Sequence, residues 1–318
     1  TLSTTLVWGN ATMICGNITI TSTGKLLLNS TAAGNTTINI TTEILQINTG
    51  GILTTRNMGY LARQGPSSIS TTSAGSYGGQ GGSTIINRLY GSITHPLMMG
   101  SGGGSATRLS GVGGGAVFIN ASSYITVNGL LDSNASLLSA GSNNGAGSGG
   151  SVYLITNQLN GSGIIAAEGG RNGQTVDPSL AGGGGRIAIY YNTNNFIGTI
   201  SVKGGTTSTN DNGGAGTIYL KGNNQDYGEI IVANQNLTAR RFTYINSSFL
   251  NLPVIDNLSI SNGASLVLED INLTVNNTFL EIPNNNYFLQ NATLYYPIIS
   301  TLNLSGDLEL SNNYFFNE

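Results

Sequence analysis

The residues of this chain best suited to a defined reaction are asparagines. Fifteen of its forty Asn stand two places before a Ser or Thr with no intervening Pro: Asn10, Asn17, Asn29, Asn35, Asn39, Asn120, Asn134, Asn160, Asn236, Asn246, Asn257, Asn272, Asn276, Asn291 and Asn303. That spacing is the acceptor signature for an N-linked glycan, which is bulky, polar and restricted to open surface. The Asn, Ser and Thr content alone predicts about nine such triplets, so their position tells more than their number. Between residues 60 and 230 only three of sixteen Asn head a sequon, against twelve of twenty-four elsewhere. Two readings fit. Either the central part is sheltered, packed against itself or another subunit, or its Asn serve turns beside Gly.

Other chemistry is thinly supplied. One Cys and one His exclude the usual zinc sites, which need three or four ligands. Cys15 is either a buried thiol or half of an intermolecular bridge. The acids Asp132, Glu168, Asp177, Asp211 and Asp226 fall at different repeat positions, and the neighbours Glu269 and Asp270 would point to opposite faces of a strand. Paired acid and base work, as in polysaccharide cleavage, needs carboxylates gathered on one face. "NDNGG" at 210–214 lacks the closing bidentate acid of a calcium loop, and no glycine run carries the Lys-Ser/Thr ending of a phosphate loop. Eleven Lys and Arg in a chain of net charge −3, with Arg240-Arg241 the only basic pair, give no stripe for nucleic acid. No apolar run approaches the roughly 20 residues of a membrane span. The sequence therefore predicts no catalytic, cofactor or metal residues, no nucleic-acid partner and no membrane insertion. No signal peptide opens at Thr1, which reads as a mature chain or a piece of a longer one.

The elements that would carry the sequons are strands. Of 318 residues 47 are Gly, 8% are charged and 39% are hydrophobic. So few charges cannot furnish helical surfaces, while the apolar residues fall in alternating runs that a disordered linker lacks. Sliding the chain over itself exposes a repeat. Val117-Phe118-Ile119, Val152-Tyr153-Leu154, Ile187-Ala188-Ile189 and Ile218-Tyr219-Leu220 follow glycine runs at spacings of 35, 35 and 31 residues. Each has a successor ten to twelve residues on, beginning at Gly129, Gly163, Gly198 and Gly228. Shorter cousins, "ITITSTGKLLL", "LQINTGGIL", "LSISNGASLVL" and "LNLSGDLEL", set two alternating strands across a corner where Gly or Asn would supply positive φ.

Units of this kind cannot each close a core, so they stack with strands parallel. The expected fold is all-β, a single parallel β-helix with glycine-rich loops, running through N-terminal coils (1–74), central glycine-rich coils (75–233) and C-terminal coils with a cap (234–318). An antiparallel β-sandwich is the alternative. In the β-helix, glycine runs at 102–104, 111–115, 145–150, 182–185 and 213–216 would lie over one another, letting backbones approach closely with φ unrestricted. The register also puts Glu168 and Lys203 on adjacent rungs. Aromatics at Tyr287-Phe288, Tyr295-Tyr296 and Tyr314-Phe315-Phe316 would form a terminal cap, an axial contact or ordinary core.

The succession "GSYGGQGG" (75–82), "LYGS" (89–92), "HPLMMGSGGG" (95–104), "GGSVYL" and "GGGGRIAIYY" resembles glycine-rich modules of large secreted or cell-surface proteins of protists, some similar to components of flagellar hairs and other extracellular filaments. The resemblance covers under half the chain and implies a structural surface protein with no catalytic residues to transfer. Tyr77, His95 and Pro96 lie within it, as anchors of a glycine-rich excursion or as a ligand pocket. The expected role is thus a structural, N-glycosylated, extracellular or cell-surface protein, a module of a fibre or coat that self-associates or joins other surface proteins. A carbohydrate-binding or polysaccharide-degrading protein is the alternative.

Overall fold

The structure, a computed structural model, describes residues 1–31, 34–67, 73–82, 88–104, 111–136, 145–171, 180–207, 212–237, 241–281, 286–296, 308–311 and 315–317. Its regular elements are all β-strands, in sheets of twelve, six and four. Among the described residues every strand pair is parallel except Thr217–Gly222 with Glu229–Ala233. The antiparallel sandwich does not fit, because apart from that one pair the neighbours in each sheet point the same way.

Up to residue 222 the chain alternates between the twelve-stranded and six-stranded sheets. The larger sheet runs through Ile38–Ile47, Ala116–Val127, Ser151–Gly161, Arg186–Phe196 and Thr217–Gly222, and the smaller through Ile52–Thr54, Leu130–Asp132, Ile164–Ala166 and Thr199–Ser201. The sequence repeat is the register: Val117 pairs Val152, Val152 pairs Ile187, and Ile187 pairs Ile218. Alternation decides what is buried. Val117, Ile119, Val152, Leu154, Ile187 and Ile189 join Ile40, Leu131 and Ile165 in one core, and each contributes about 1.5–3 kcal/mol.

The fourth unit departs from the sequence alignment. Gly129, Gly163 and Gly198 open successive strands of the six-stranded sheet, but Gly228 opens one that folds back on Thr217–Gly222. No glycine excursion separates the two, only the six residues 223–228. Gly228 takes φ 75°, and the carboxylate of Asp256 accepts the N–H groups of Tyr227 and Gly228 at 3.0 and 2.8 Å. Beyond this reversal the chain alternates between the twelve-stranded sheet and the four-stranded one, formed by Thr243–Ile245, Ser265–Glu269, Asn286–Gln290 and Leu308–Ser311. Gly50 and the pair Asn262-Gly263 have positive φ at their corners, as expected, whereas Gly24 is needed because a Cβ there would lie 2.2 Å from Leu2 O. Phe288 packs edge-on to Phe242. Tyr314 and the side chains of Tyr287, Tyr296, Phe315 and Phe316 lie outside what is described.

The glycine runs form a second core with rules of its own. The 145–150 segment hydrogen-bonds to six others, around residues 73–75, 100–104, 111–115, 133, 170 and 180–183. A β-strand has two bonded neighbours; this one is surrounded. Partners recur every third residue: Gly145 and Ser148 donate to Gly104 and Ser101, and Ala146 and Gly149 to Leu180 and Gly183. Three residues per turn is the period of an extended polyproline II helix, which bonds only outward. Every position then faces another backbone, so the segment reads Gly-Ala-Gly-Ser-Gly-Gly.

The stacking is rung on rung. A Cβ on Gly150 would lie 1.9 Å from Gly115 O, one on Gly185 2.1 Å from Gly150 O, and one on Gly216 1.7 Å from Gly185 O. None of these glycines has positive φ. The expected freedom of φ is therefore not what they supply; the close approach is.

Candidate functional site

Three features could carry function: a strap across the large sheet, the cavities beside it, and the sequons. The strap is the 88–99 segment. Tyr190 Oη donates to Thr94 O at 3.2 Å, Ser151 Oγ to Met98 O at 2.6 Å, and Ile93 N–H to Phe249 O at 2.8 Å. Beneath it runs an aromatic row. Phe118 stacks on Tyr153 at 4.7 Å, and Tyr190 meets Tyr153 and Tyr219 at 5.7 and 5.6 Å. His95 sits over this row, 5.6 and 5.7 Å from the rings of Tyr153 and Tyr190, while Pro96 is buried. Burial lowers the pKa of His95 and raises those of Tyr190 and Tyr219, the latter to about 12, so all three are neutral at pH 7.

The strap is locked by Arg186, which sequence reasoning missed. Arg186 opens its strand on the outer face and is fully buried. Its guanidinium lies 5.5 Å from the Tyr77 ring centre and 5.1 Å from that of Phe249. Nε donates to Tyr90 O at 3.2 Å and one terminal nitrogen to Thr217 Oγ1 at 3.0 Å, while the other has no partner among the described residues. Burial lowers its pKa to about 10, which leaves it charged at neutral pH. With no carboxylate paired to it among the described residues, the aromatic faces supply the compensation, up to roughly 2 kcal/mol each when desolvated. The available signal was a lone charged residue directly after four glycines. Tyr77 completes the lock through a 2.7 Å hydrogen bond to Ser151 Oγ. Tyr77, His95 and Pro96 thus converge where the excursion meets the sheet.

Two cavities border the strap. One of about 240 Å³ is lined by His95, Tyr190, Tyr219, Lys221 and Tyr227, and two of its polar groups are already engaged: Tyr219 Oη donates to Tyr227 O and Lys221 Nζ to Asp226 O, both at 2.6 Å. The other, about 620 Å³, lies beside the four-stranded sheet, bordered by Tyr90, Tyr244, Asn246, Phe249, Glu269 and Gln290.

The acids are not brought together. Asp132 is buried against Arg56, and Glu168 lies 3.5 Å from Lys203, as the repeat register requires, while also accepting from Ser201 Oγ at 2.6 Å. Glu269 faces the larger cavity, and Asp270 turns away at φ 49° toward Asn291. Asp177, Asp211 and Arg240 lie outside the described residues. Among the described residues no group of three His, Cys, Asp or Glu could hold a metal, and no helix is long and apolar enough to cross a membrane. Cys15 is a half-buried free thiol.

The sequons fall in three environments. Asn10, Asn17, Asn35, Asn120, Asn236, Asn272, Asn276 and Asn291 are exposed, and Asn29, Asn39, Asn160, Asn246 and Asn257 are half-buried. Asn303 lies outside the described residues. Asn134 is buried, 7% exposed, and its Oδ1 accepts the Glu168 N–H at 2.6 Å, which leaves no open side for a glycan. Asn160 is bonded to Asn195 on the next rung. The sequon-poor centre coincides with the glycine bundle, which packs against itself.

Set against known proteins, the chain matches no family model and has no significantly similar relative among curated proteins or solved structures.

Proposed function

We propose that this chain is a parallel β-helix serving as a structural unit of an extracellular, N-glycosylated assembly, a fibre, surface coat or flagellar-hair-like filament, in which it self-associates or joins other surface proteins. The observation that carries the reading is the doubled backbone scaffold. In-register parallel ladders run beside a glycine bundle whose segments are hydrogen-bonded on all sides. Backbone bonds of this density resist bending and shear without relying on side chains, which suits a mechanical element. Exposed sequons on the sheets and at the N-terminal end would keep the sides soluble. The test is electron microscopy of the native material in negative stain. Regular fibres or sheets labelled by antibody to this chain support the proposal, and uniformly dispersed single particles sink it.

A further inference from the structure

The cavity of about 620 Å³ has no part in this scaffold, and its volume falls in the range of small-molecule sites, roughly 300–1,000 Å³. Its wall is built by register. Ile245 pairs Leu268 and Leu268 pairs Leu289, so Asn246, Glu269 and Gln290 follow one position later on three successive rungs. Rungs are about 4.7–4.9 Å apart, giving a column of amide, carboxylate and amide. Tyr244 and Phe249 border the same space, the latter held by Arg186. The column is little used internally. Glu269 meets Asn246 Nδ2 at only 3.4 Å, and Asn246 Oδ1 accepts the Ser248 N–H at 3.0 Å. Arg88 on the lining balances the charge of Glu269, so the cavity favours a neutral ligand.

A pyranose ring matches such a wall. It has an apolar C–H face for aromatic rings and a rim of hydroxyls that donate to a carboxylate and both donate to and accept from side-chain amides. We propose that this cavity binds a short neutral oligosaccharide, with the Asn246, Glu269 and Gln290 column on its hydroxyls and Tyr244 and Phe249 on its face. The sugar has two possible sources with shared chemistry, the N-acetylglucosamine pair that begins N-linked glycans. One is a glycan on Asn246 itself, which heads a sequon and would fold back into the cavity. Its attachment transfers the sugar from a glycosyl diphosphate lipid: the C1–O bond breaks, C1–Nδ2 forms, and the amide proton leaves with the diphosphate. The other is a glycan of another molecule. The binding claim does not rest on the chain forming a filament.

The experiment uses the whole chain made without glycosylation and N,N′-diacetylchitobiose as probe, read by saturation-transfer NMR and titration. Millimolar binding is expected, weakened roughly tenfold by Glu269→Ala or Gln290→Ala, each of which removes a hydrogen-bonding partner from the column. The second arm uses glycosylated protein. Loss of probe binding that Ser248→Ala restores, a change that removes the sequon and keeps Asn246 in place, assigns the cavity to the chain's own glycan, and undiminished binding assigns it to an external one. Absence of binding by folded, unglycosylated protein, or affinity unchanged in both variants, overturns the proposal.

Discussion

Replacing Gly150 by Ala tests the close-approach argument where one glycine run lies over the next. The new Cβ would lie 1.9 Å from Gly115 O and 2.6 Å from Gly114 O, whereas real Cβ contacts essentially never fall under 3.0 Å. The 111–115 segment must therefore retreat by the difference, 1.1 Å at Gly115 O. That carbonyl accepts the Ser151 N–H at 2.9 Å, and Gly114 O accepts the Gly100 N–H at 2.9 Å. Moving the first acceptor away by that amount takes its bond to roughly 4 Å, beyond hydrogen-bonding range. A buried N–H and a buried C=O left unpaired cost about 1–3 kcal/mol each, so the substitution should destabilise by roughly 2–6 kcal/mol. Gly16 is the control, because a Cβ there meets nothing within 4 Å. Gly16→Ala should be neutral or stabilising by under about 1 kcal/mol, through the unfolded state. Urea unfolding followed by circular dichroism measures both, and hydrogen exchange at the Ser151 and Gly100 amides locates the damage. If the two variants unfold within about 1 kcal/mol of each other, the bundle does not depend on glycine for contact and the reasoning fails.

Protonation of His95 should loosen the strap. Burial holds its imidazole below the ordinary value near 6.5, so the unfolded chain binds the proton first as pH falls, and stability drops as pH passes down through that value. The urea midpoint is expected to be lower at pH 5 than at pH 7.5, by a margin that His95→Gln reduces. Glu229, whose pKa burial raises, contributes with the opposite sign, so the difference between wild type and variant is the readout. An equal pH response in both proteins would remove His95 from the account. Glycopeptide mapping of secreted protein should find Asn120 and Asn272 modified and Asn134 bare, because only the last is buried; a folded protein carrying sugar on Asn134 would refute its placement.

The sequence by itself determined the strands and their partners. A 35-residue spacing between Val117, Val152 and Ile187 is a statement about register, since equal lengths of chain return equivalent residues to the same rung, and Glu168 meets Lys203 for that reason. It also placed the glycine runs over one another, because they share that period. What only the tertiary structure decided lies where short-range pattern carries no direction. "GEIIV" alternates like its three cousins, yet six linking residues and the Asp256 carboxylate turn it back antiparallel. The reason for the glycines was equally hidden. Conformational freedom and contact distance both favour Gly in a sequence, and only neighbouring carbonyls at the Cβ position separate them. Arg186 shows the same limit: its charge reads as surface until Tyr77, Thr217 and Phe249, drawn from distant parts of the chain, close around it.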